Sequence, residues 1–290
     1  QRRNCRIFQH QSTPKILALL LAEWGIAPVW KLDARAYPVH PYRVQYAETD
    51  FAFVSRLLEE AGITFFFDPE DGQGSRLVFA EQPHRAPIRA RGPLPYVDHP
   101  SPAEHEYITR VRLAQEVRPG RHVLRGFDLR RRPDLPLLGA AQGPSSPDDA
   151  CEQYHYAPGA FLVESAALPA GDTPVADDQG ATRAEPREGG ARAERALEAE
   201  RVRRRTVTFQ TNALDLAPGV VMAIDRHPRA DLGVEQHLLV TAFSIDGAHD
   251  GAWIAEGAAA FVSSPYRPLG ATPRPQIHGV QSAMVVGPSG

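Results

Sequence analysis

The spacing of apolar residues predicts an amphipathic helix near residues 13–24. Ile16, Leu20 and Trp24 recur at intervals of about one helical turn, so they share one face of that helix. Gly25 follows at the position where a helix commonly ends in the left-handed conformation. The pattern therefore predicts a helix that packs one apolar face against the rest of its domain.

A second helix is predicted near residues 50–61, with Thr49 or Asp50 as its N-terminal cap and Gly62 as its end. Its expected apolar stripe consists of Phe51, Val54, Leu58 and Ala61. Alternating residues at 42–46 predict a strand before this helix, and residues 63–67 and 76–80 predict a hairpin after it. We expect residues 1–82 to form a small α+β domain with two helices and a hairpin.

A proline-rich segment follows at residues 83–104, and we interpret it as a linker or a sheet edge. Proline lacks a backbone donor and restricts the residue before it to extended conformations. The prolines in this segment are Pro83, Pro87, Pro93, Pro95, Pro100 and Pro102.

Alternating patterns dominate the rest of the chain and predict an antiparallel β-barrel domain over residues 105–265. The predicted strands cover residues 108–113, 122–129, 205–211, 219–225, 236–246 and 251–262. We expect a break at 131–150, a mobile insert near 165–190 and a largely exposed, charged helix at 191–204. Residues 266–290 are expected to be a connector. The predicted fold class is thus mainly β with an α+β part.

Charge and cysteine content limit the possible partners. The 290 residues carry a formal net charge of −3, so no global field would attract nucleic acid. The longest apolar run, 16–22, is too short to cross a membrane, and residues 1–5 lack the features of a signal peptide. Cys5 and Cys151 are expected to be reduced thiols without zinc-ligand spacing.

Motifs that carry chemistry are absent from the sequence, including phosphate-binding loops, zinc-protease helices and the nucleophile elbow. Two groups could be drawn as acid–base or metal sites, but we interpret both as surface turns. They are His99, Glu104, His105 and Glu106 in the first group, and Asp225, His227 and Asp231 in the second. The paired carboxylates at 148–149 and 177–178 lie in polar surroundings that would not separate their pKa values. We expect no catalytic, cofactor-binding or metal-binding residues.

Residues 42–67 resemble the signature of the VgrG family. In that signature a strand with Val-Gln-Tyr precedes Glu-x-Asp, a helix ending in Arg-Leu-Leu-Glu-Glu-x-Gly-Ile, and an aromatic strand. The matching positions are Gln45, Tyr46, Glu48, Asp50, Phe53, Arg56, Leu57, Leu58, Glu59, Gly62 and Ile63. Residues 6–21, 238–242 and 275–288 also resemble family segments, and the last looks like the start of an oligonucleotide-binding-type barrel.

The helical periodicity and the capping position predict the roles of the signature side chains. We expect Phe53 and Leu57 to pack against the core while Arg56 and Glu59 face solvent. Asp50 is expected to cap the helix. The signature residues would then maintain the fold and would not form a reactive site.

The resemblance implies a structural component of a type VI secretion spike. Such proteins resemble the hub of contractile phage tails, form homotrimers whose barrels imitate the Hcp tube ring, and continue into a needle. The implied partners are the Hcp ring, baseplate proteins, and PAAR-type tips and effectors through the C-terminal part, with assembly in the cytoplasm before ejection. Relative to the family, a first barrel before Arg6 and a needle after Gly290 are expected outside this sequence.

Two alternatives to the spike remain. One is the tail hub or baseplate of a contractile phage or phage-like particle, which neighbouring genes would distinguish. The other is a cell-wall hydrolase, which would need an acid–base pair that the sequence does not offer.

Overall fold

The computed structural model describes residues 2–70, 74–99, 105–128, 136–144, 150–164, 182–249, 253–280, 282 and 284. Three α-helices are present in these residues: α1 (Thr13–Glu23), α2 (Asp50–Ala61) and α3 (Pro186–Arg201). The first eight strands are β1 (Arg3–Ser12), β2 (Val29–Lys31), β3 (Val39–Thr49), β4 (Thr64–Glu70), β5 (Gly74–Ala80), β6 (Leu94–Pro95), β7 (Ile108–Gln115) and β8 (Arg121–Gly126). The other eight are β9 (Leu137–Gln142), β10 (Glu152–Tyr156), β11 (Leu162–Glu164), β12 (Thr182–Ala184), β13 (Arg205–Thr211), β14 (Val221–Asp225), β15 (His237–Asp246) and β16 (Ile254–Phe261).

The N-terminal region combines helices α1 and α2 with two small sheets, as predicted. Strands β1 and β3 form an antiparallel ribbon, and β2, β5 and β4 form a second sheet in that order. Thr49, and not Asp50, caps α2, because its side chain accepts a hydrogen bond from the Ala52 amide at 3.1 Å. Gly62 ends the helix at a φ of 70°.

Each of the two helices buries most of the face predicted for it. Ile16 and Leu20 of α1 lie in the core with Leu17, and Phe53, Leu57 and Leu58 of α2 lie there too. Trp24 and Phe51 were wrongly assigned to the buried faces, since they are 66% and 71% exposed. Both residues lie at a helix end, where tertiary packing decides whether a side chain faces inward.

The largest sheet has six strands in the order β6-β14-β15-β16-β13-β7. Residues of the proline-rich segment close this curled sheet, since β6 pairs with β14 in parallel and Tyr96 bridges to Ile108 at the start of β7. The described part of the predicted linker is therefore an edge of the sheet, with Leu94 only 1% exposed. Side chains including Val207, Phe209, Met222 and Ile224 fill the interior.

A separate three-stranded sheet, with order β10-β8-β9, lies against helix α3. Strand β9 lies inside the predicted break at 131–150, and β10 pairs with β8 in parallel, so residues 105–265 are not a single antiparallel barrel. Of the predicted insert, residues 165–181 lie outside the described residues. Residues 182–190 form strand β12 and the start of α3.

Helix α3 begins at Pro186, five residues before the predicted start, and its inner face is buried. The prediction of a largely exposed helix was wrong because small residues allow a close approach to β8 and β9. A Cβ atom on Gly139 would lie 2.3 Å from the Gly189 backbone, and one on Gly189 would lie 1.8 Å from the Phe161 ring, so both positions need glycine. Ala193 and Leu197 complete the buried face.

The described part of the C-terminal segment, residues 266–280, has no helix or strand and runs across α2 and α3. We call residues 266–274 the connector. None of the helices in the described part of the chain is long and apolar enough to span a membrane.

Candidate functional site

The signature residues surround helix α2, where they form a network of hydrogen bonds and ion pairs. At the N-terminus of the helix, the Asp50 carboxylate accepts hydrogen bonds from Gln45 (2.8 Å), Asn4 (3.0 Å), Arg6 (3.0 Å) and Trp24 (3.3 Å). Burial would raise the pKa of Asp50, but the bonds from Gln45 and Asn4 outweigh it and hold the pKa below its usual value. Asp50 therefore ties strands β1 and β3 and the end of α1 to the start of α2.

Arg56 is buried, which contradicts the prediction that it faces solvent. Its residue exposure is 7%, and its guanidinium donates to Glu48 (2.6 Å) and to the Val44 carbonyl (3.1 Å). The same group lies 5.1 Å from the centroid of the Phe53 ring. A charged residue can occupy this inner position because a carboxylate, a carbonyl and an aromatic face replace its water.

Glu60 is surrounded by arginines from four segments of the chain. Its carboxylate lies 2.8 Å from Arg43, 3.1 Å from Arg274, 3.8 Å from Arg56 and 3.9 Å from Arg192. Burial alone would raise the pKa of Glu60, but these four cations lower it to about 2. Glu60 thus joins β3, α2, α3 and the connector.

Glu59 fastens the connector to helix α2. Its carboxylate accepts hydrogen bonds from the Ala271 amide (3.1 Å), the Thr272 amide (2.9 Å) and the Thr272 hydroxyl (2.7 Å). The prediction that Glu59 faces solvent was therefore wrong. Arg267 adds a second attachment, since it donates to the Gly62 carbonyl at 3.1 Å and pairs with Glu198 at 2.8 Å.

The other signature residues have three different settings. Leu57, Leu58 and Ile63 belong to the hydrophobic core, as expected. Gly62 needs its left-handed backbone, and an added Cβ would also lie 2.8 Å from Arg195. Tyr46 is half-buried on strand β3.

Together these residues form what we call the seam, the contact of helix α2 with strands β1 and β3, helix α3 and the connector. The seam residues that the sequence did not point to are Arg43, Glu60, Arg192, Arg267 and Arg274. Arg and Glu are common at exposed positions, and only the tertiary structure brings these residues into the seam from β3, α2, α3 and the connector.

His40 is a buried histidine beside the seam arginines, and the residue is only 5% exposed. Burial is the main reason that the pKa of His40 falls to about 3, and the nearby Arg43 and Arg192 lower it further. Two cavities of about 440 and 350 Å³ flank this region and share a wall formed by Glu60, Arg192 and Arg195.

The first of the two alternative sites considered from sequence is an ion cluster. Glu106 pairs with the buried Arg89, which also binds Asp215 through two hydrogen bonds of 2.8 Å. This cluster attaches the proline-rich segment to the barrel. Glu104 lies outside the described residues.

The second alternative site, around His227, is a surface turn. Asp231 pairs with Arg229 at 2.8 Å, and the His227 ring packs edge-on against Tyr96 with 4.5 Å between centroids. Over the described ranges, no group of three or more His, Cys, Asp or Glu side chains could hold a metal ion. The acidic pairs at 148–149 and 177–178 lie outside those ranges.

Comparison with protein families gives a match over most of the chain. The family described as the phage tail baseplate hub (GPD) matches residues 1–250. The chain belongs to this hub family. All of the signature residues lie within the matched range.

Curated relatives of this hub chain include spike proteins of Pseudomonas aeruginosa. The type VI secretion system spike protein VgrG4b is 32% identical over 100% of this chain and 35% of its own length. Spike protein VgrG1b is 27% identical over 99% of this chain and 37% of its own length. The hub chain therefore spans about a third of the length of these relatives, and the resemblance to VgrG proteins drawn from the signature is confirmed.

A solved structure shows the same fold. The Escherichia coli c3393 protein is described as a type VI secretion component with structural similarity to the T4 bacteriophage tail proteins gp27 and gp5. It superposes with a TM-score of 0.61 at 19% identity, covering 96% of the hub chain and 56% of its own length. The predicted fold class, mainly β and tail-hub-like, is confirmed.

Proposed function

We propose that this chain is the hub portion of a type VI secretion spike, a structural component that acts by assembly and not by catalysis. One observation carries the proposal: curated relatives that align over 99–100% of the chain are named type VI secretion spike proteins. These alignments, at 27–32% identity, extend over both the α+β region and the barrel.

The seam supports a mechanical role. Four segments meet at Glu60, and Glu59 and Arg267 attach the connector to the same helix. Such a network of buried and half-buried ion pairs requires each group to have a fixed place, which favours a rigid body. A rigid base is what a component that is pushed through a membrane would need.

The proposed partners follow from a hub position. The parent protein would be a homotrimer, with its barrels against the Hcp tube ring and baseplate proteins around it. A PAAR-type tip and effectors would be carried by the parts of the parent protein that extend beyond this sequence. The protein would be assembled in the cytoplasm and ejected to the extracellular space or a target cell.

A second candidate is the tail hub of a contractile phage or phage-like particle, because the matching family is described as a phage tail baseplate hub. We favour the secretion spike because the relatives that cover the whole chain carry that name.

A secretion assay tests the proposal. In the source bacterium, with every other gene of this family deleted, removal of the parent gene should abolish release of Hcp into the culture medium. A plasmid copy should restore it. Unchanged Hcp release after the deletion would refute the secretion role, and recovery of the protein in purified phage particles would favour the tail hub instead.

Oligomeric state and hydrolysis need separate measurements. Light scattering of the purified full-length protein should give the mass of three copies, and a monomer at high concentration would refute the trimer. The protein should release no soluble fragments from peptidoglycan. Release that disappears after substitution of one carboxylate would establish the cell-wall hydrolase alternative.

A further inference from the structure

Two histidines lie stacked at the edge of the three-stranded sheet. The rings of His122 on β8 and His155 on β10 are 5.2 Å apart between centroids and inclined by 28°. Strand β10 is the edge strand, and in the described residues β8 is its only strand neighbour. The stack is therefore a side-chain contact between β10 and the rest of its sheet.

The stack lines the cavity of about 350 Å³ at the seam, where charged groups reach it from three directions. Helix α2 contributes Arg56, Glu59 and Glu60; α3 contributes Arg192, Arg195 and Glu200; the connector contributes Arg274. The remaining wall is mostly apolar, with Leu124, Ala157, Ala160, Ala196, Ala199, Pro268 and Leu269.

Each of the three carboxylates in this cavity already has partners. Glu60 pairs with arginines, Glu59 accepts three hydrogen bonds from the connector, and Glu200 lies 3.7 Å from Arg118. A new positive charge on the stack would thus face four arginines without an uncommitted carboxylate to balance it.

The local environment also opposes protonation of His122 itself. This residue is 5% exposed. Burial and, second, the neighbouring His155 lower the pKa of His122, while a hydrogen bond with Gln153 acts in the opposite direction.

We propose that the His122–His155 stack is an acid-sensitive latch, which holds strand β10 against β8 while His122 is neutral and releases the strand when His122 is protonated. Strand β10 forms one wall of the cavity. In acid, a positive charge on His122 would be buried between the second imidazole and the seam arginines, and among the described strands β10 can leave the sheet without disrupting another one.

Proton linkage determines how strongly the equilibrium between attached and released β10 depends on pH. A histidine that stays neutral in the closed state but titrates near its ordinary pKa of about 6.5 in the open state favours opening as the pH falls. Between pH 7.0 and pH 5.5 this preference grows by up to about eightfold for His122.

Hydrogen–deuterium exchange of the full-length protein tests the latch. After correction for intrinsic exchange rates, peptides covering residues 150–157 should lose protection several-fold, up to about eightfold, between pH 7.0 and pH 5.5. Peptides from strand β16 should keep theirs. Equal protection of residues 150–157 at both pH values would refute the proposal.

A matched pair of variants separates protonation from packing. His122→Phe keeps an aromatic ring that cannot be protonated, so the response to acid should fall. His278→Phe removes an exposed histidine outside the seam and should respond like the wild type. If His122→Phe opens in acid as the wild type does, the latch is wrong.

A titration of the wild-type protein covers the case in which His122→Phe fails to fold. The ring signals of His122 in NMR spectra should titrate below the ordinary histidine pKa of about 6.5, together with the loss of β10 protection. An ordinary pKa for His122 would overturn the proposal.

Discussion

Removing the charge of Glu60 should destabilise the seam by about 3 kcal/mol. Glu60→Gln keeps the shape of the side chain but leaves four arginines around a neutral amide. The pKa of Glu60 is lowered from 4.5 to about 2, and at about 1.4 kcal/mol per pKa unit this shift corresponds to about 3 kcal/mol. Loss of one partner from a buried ion pair costs a similar amount, roughly 3–5 kcal/mol.

The pH dependence of the unfolding free energy gives a second, independent test of the role of Glu60. The folded-state pKa of Glu60 lies below its unfolded value, so its contribution is fully present above pH 4.5 and is lost as the pH falls towards 2. Between pH 5 and pH 3 the wild type should lose about 2 kcal/mol from this group alone. Glu60→Gln should lack that part of the acid response.

Urea unfolding of the purified protein, followed by the fluorescence of Trp24 and Trp30 in the α+β region, measures both quantities. Glu116→Gln is the control, because Glu116 is 51% exposed and a surface pair is worth about 0–1 kcal/mol. The reasoning is refuted if Glu60→Gln unfolds at the same urea concentration as the wild type. It is also refuted if the variant keeps the full loss of stability between pH 5 and pH 3.

Three further substitutions test other parts of the fold by the same unfolding assay. Arg89→Met should cost roughly 3–5 kcal/mol, because it leaves Asp215 without its buried cation; a loss below 1 kcal/mol would contradict this role. Gly189→Ala should destabilise the α3 region by more than 1 kcal/mol, since the new Cβ would lie 1.8 Å from Phe161, and wild-type stability would show that the helix can shift. Phe53→Ala should cost about 3–5 kcal/mol through the cavity it leaves, and a cost below 1 kcal/mol would mean that the core collapses around it.

The sequence predicted the bounds of those helices and strands that are set by their own residues. The bounds of α2 and of strand β13 match the predicted 50–61 and 205–211, because caps, glycine and alternation mark them. Strand β9 was missed, since its Ala- and Gly-rich sequence shows no clear alternation and its neighbours supply its pairing.

The seam was beyond prediction from sequence for a different reason. The signature drew attention to Arg56 and Glu59, but both were expected in solvent because charged residues seldom lie buried. Arg56 finds its partners on strand β3, where it donates to Glu48 and to the Val44 carbonyl. The partner of Glu59 comes from a distant segment, since Thr272 is 213 residues away. Only the packing of β3 and the connector against α2 gives Arg56 and Glu59 their places.

The closure of the barrel by β6 has a consequence for synthesis on the ribosome. Leu94 pairs with Ile224, so the strand that completes the barrel must wait while about 130 further residues are made. The helices and hairpin of the N-terminal region can form long before then from contacts within their own segment. During that interval the proline-rich strand has no partner, and its missing amide donors make it a poor template for pairing with a neighbouring nascent chain.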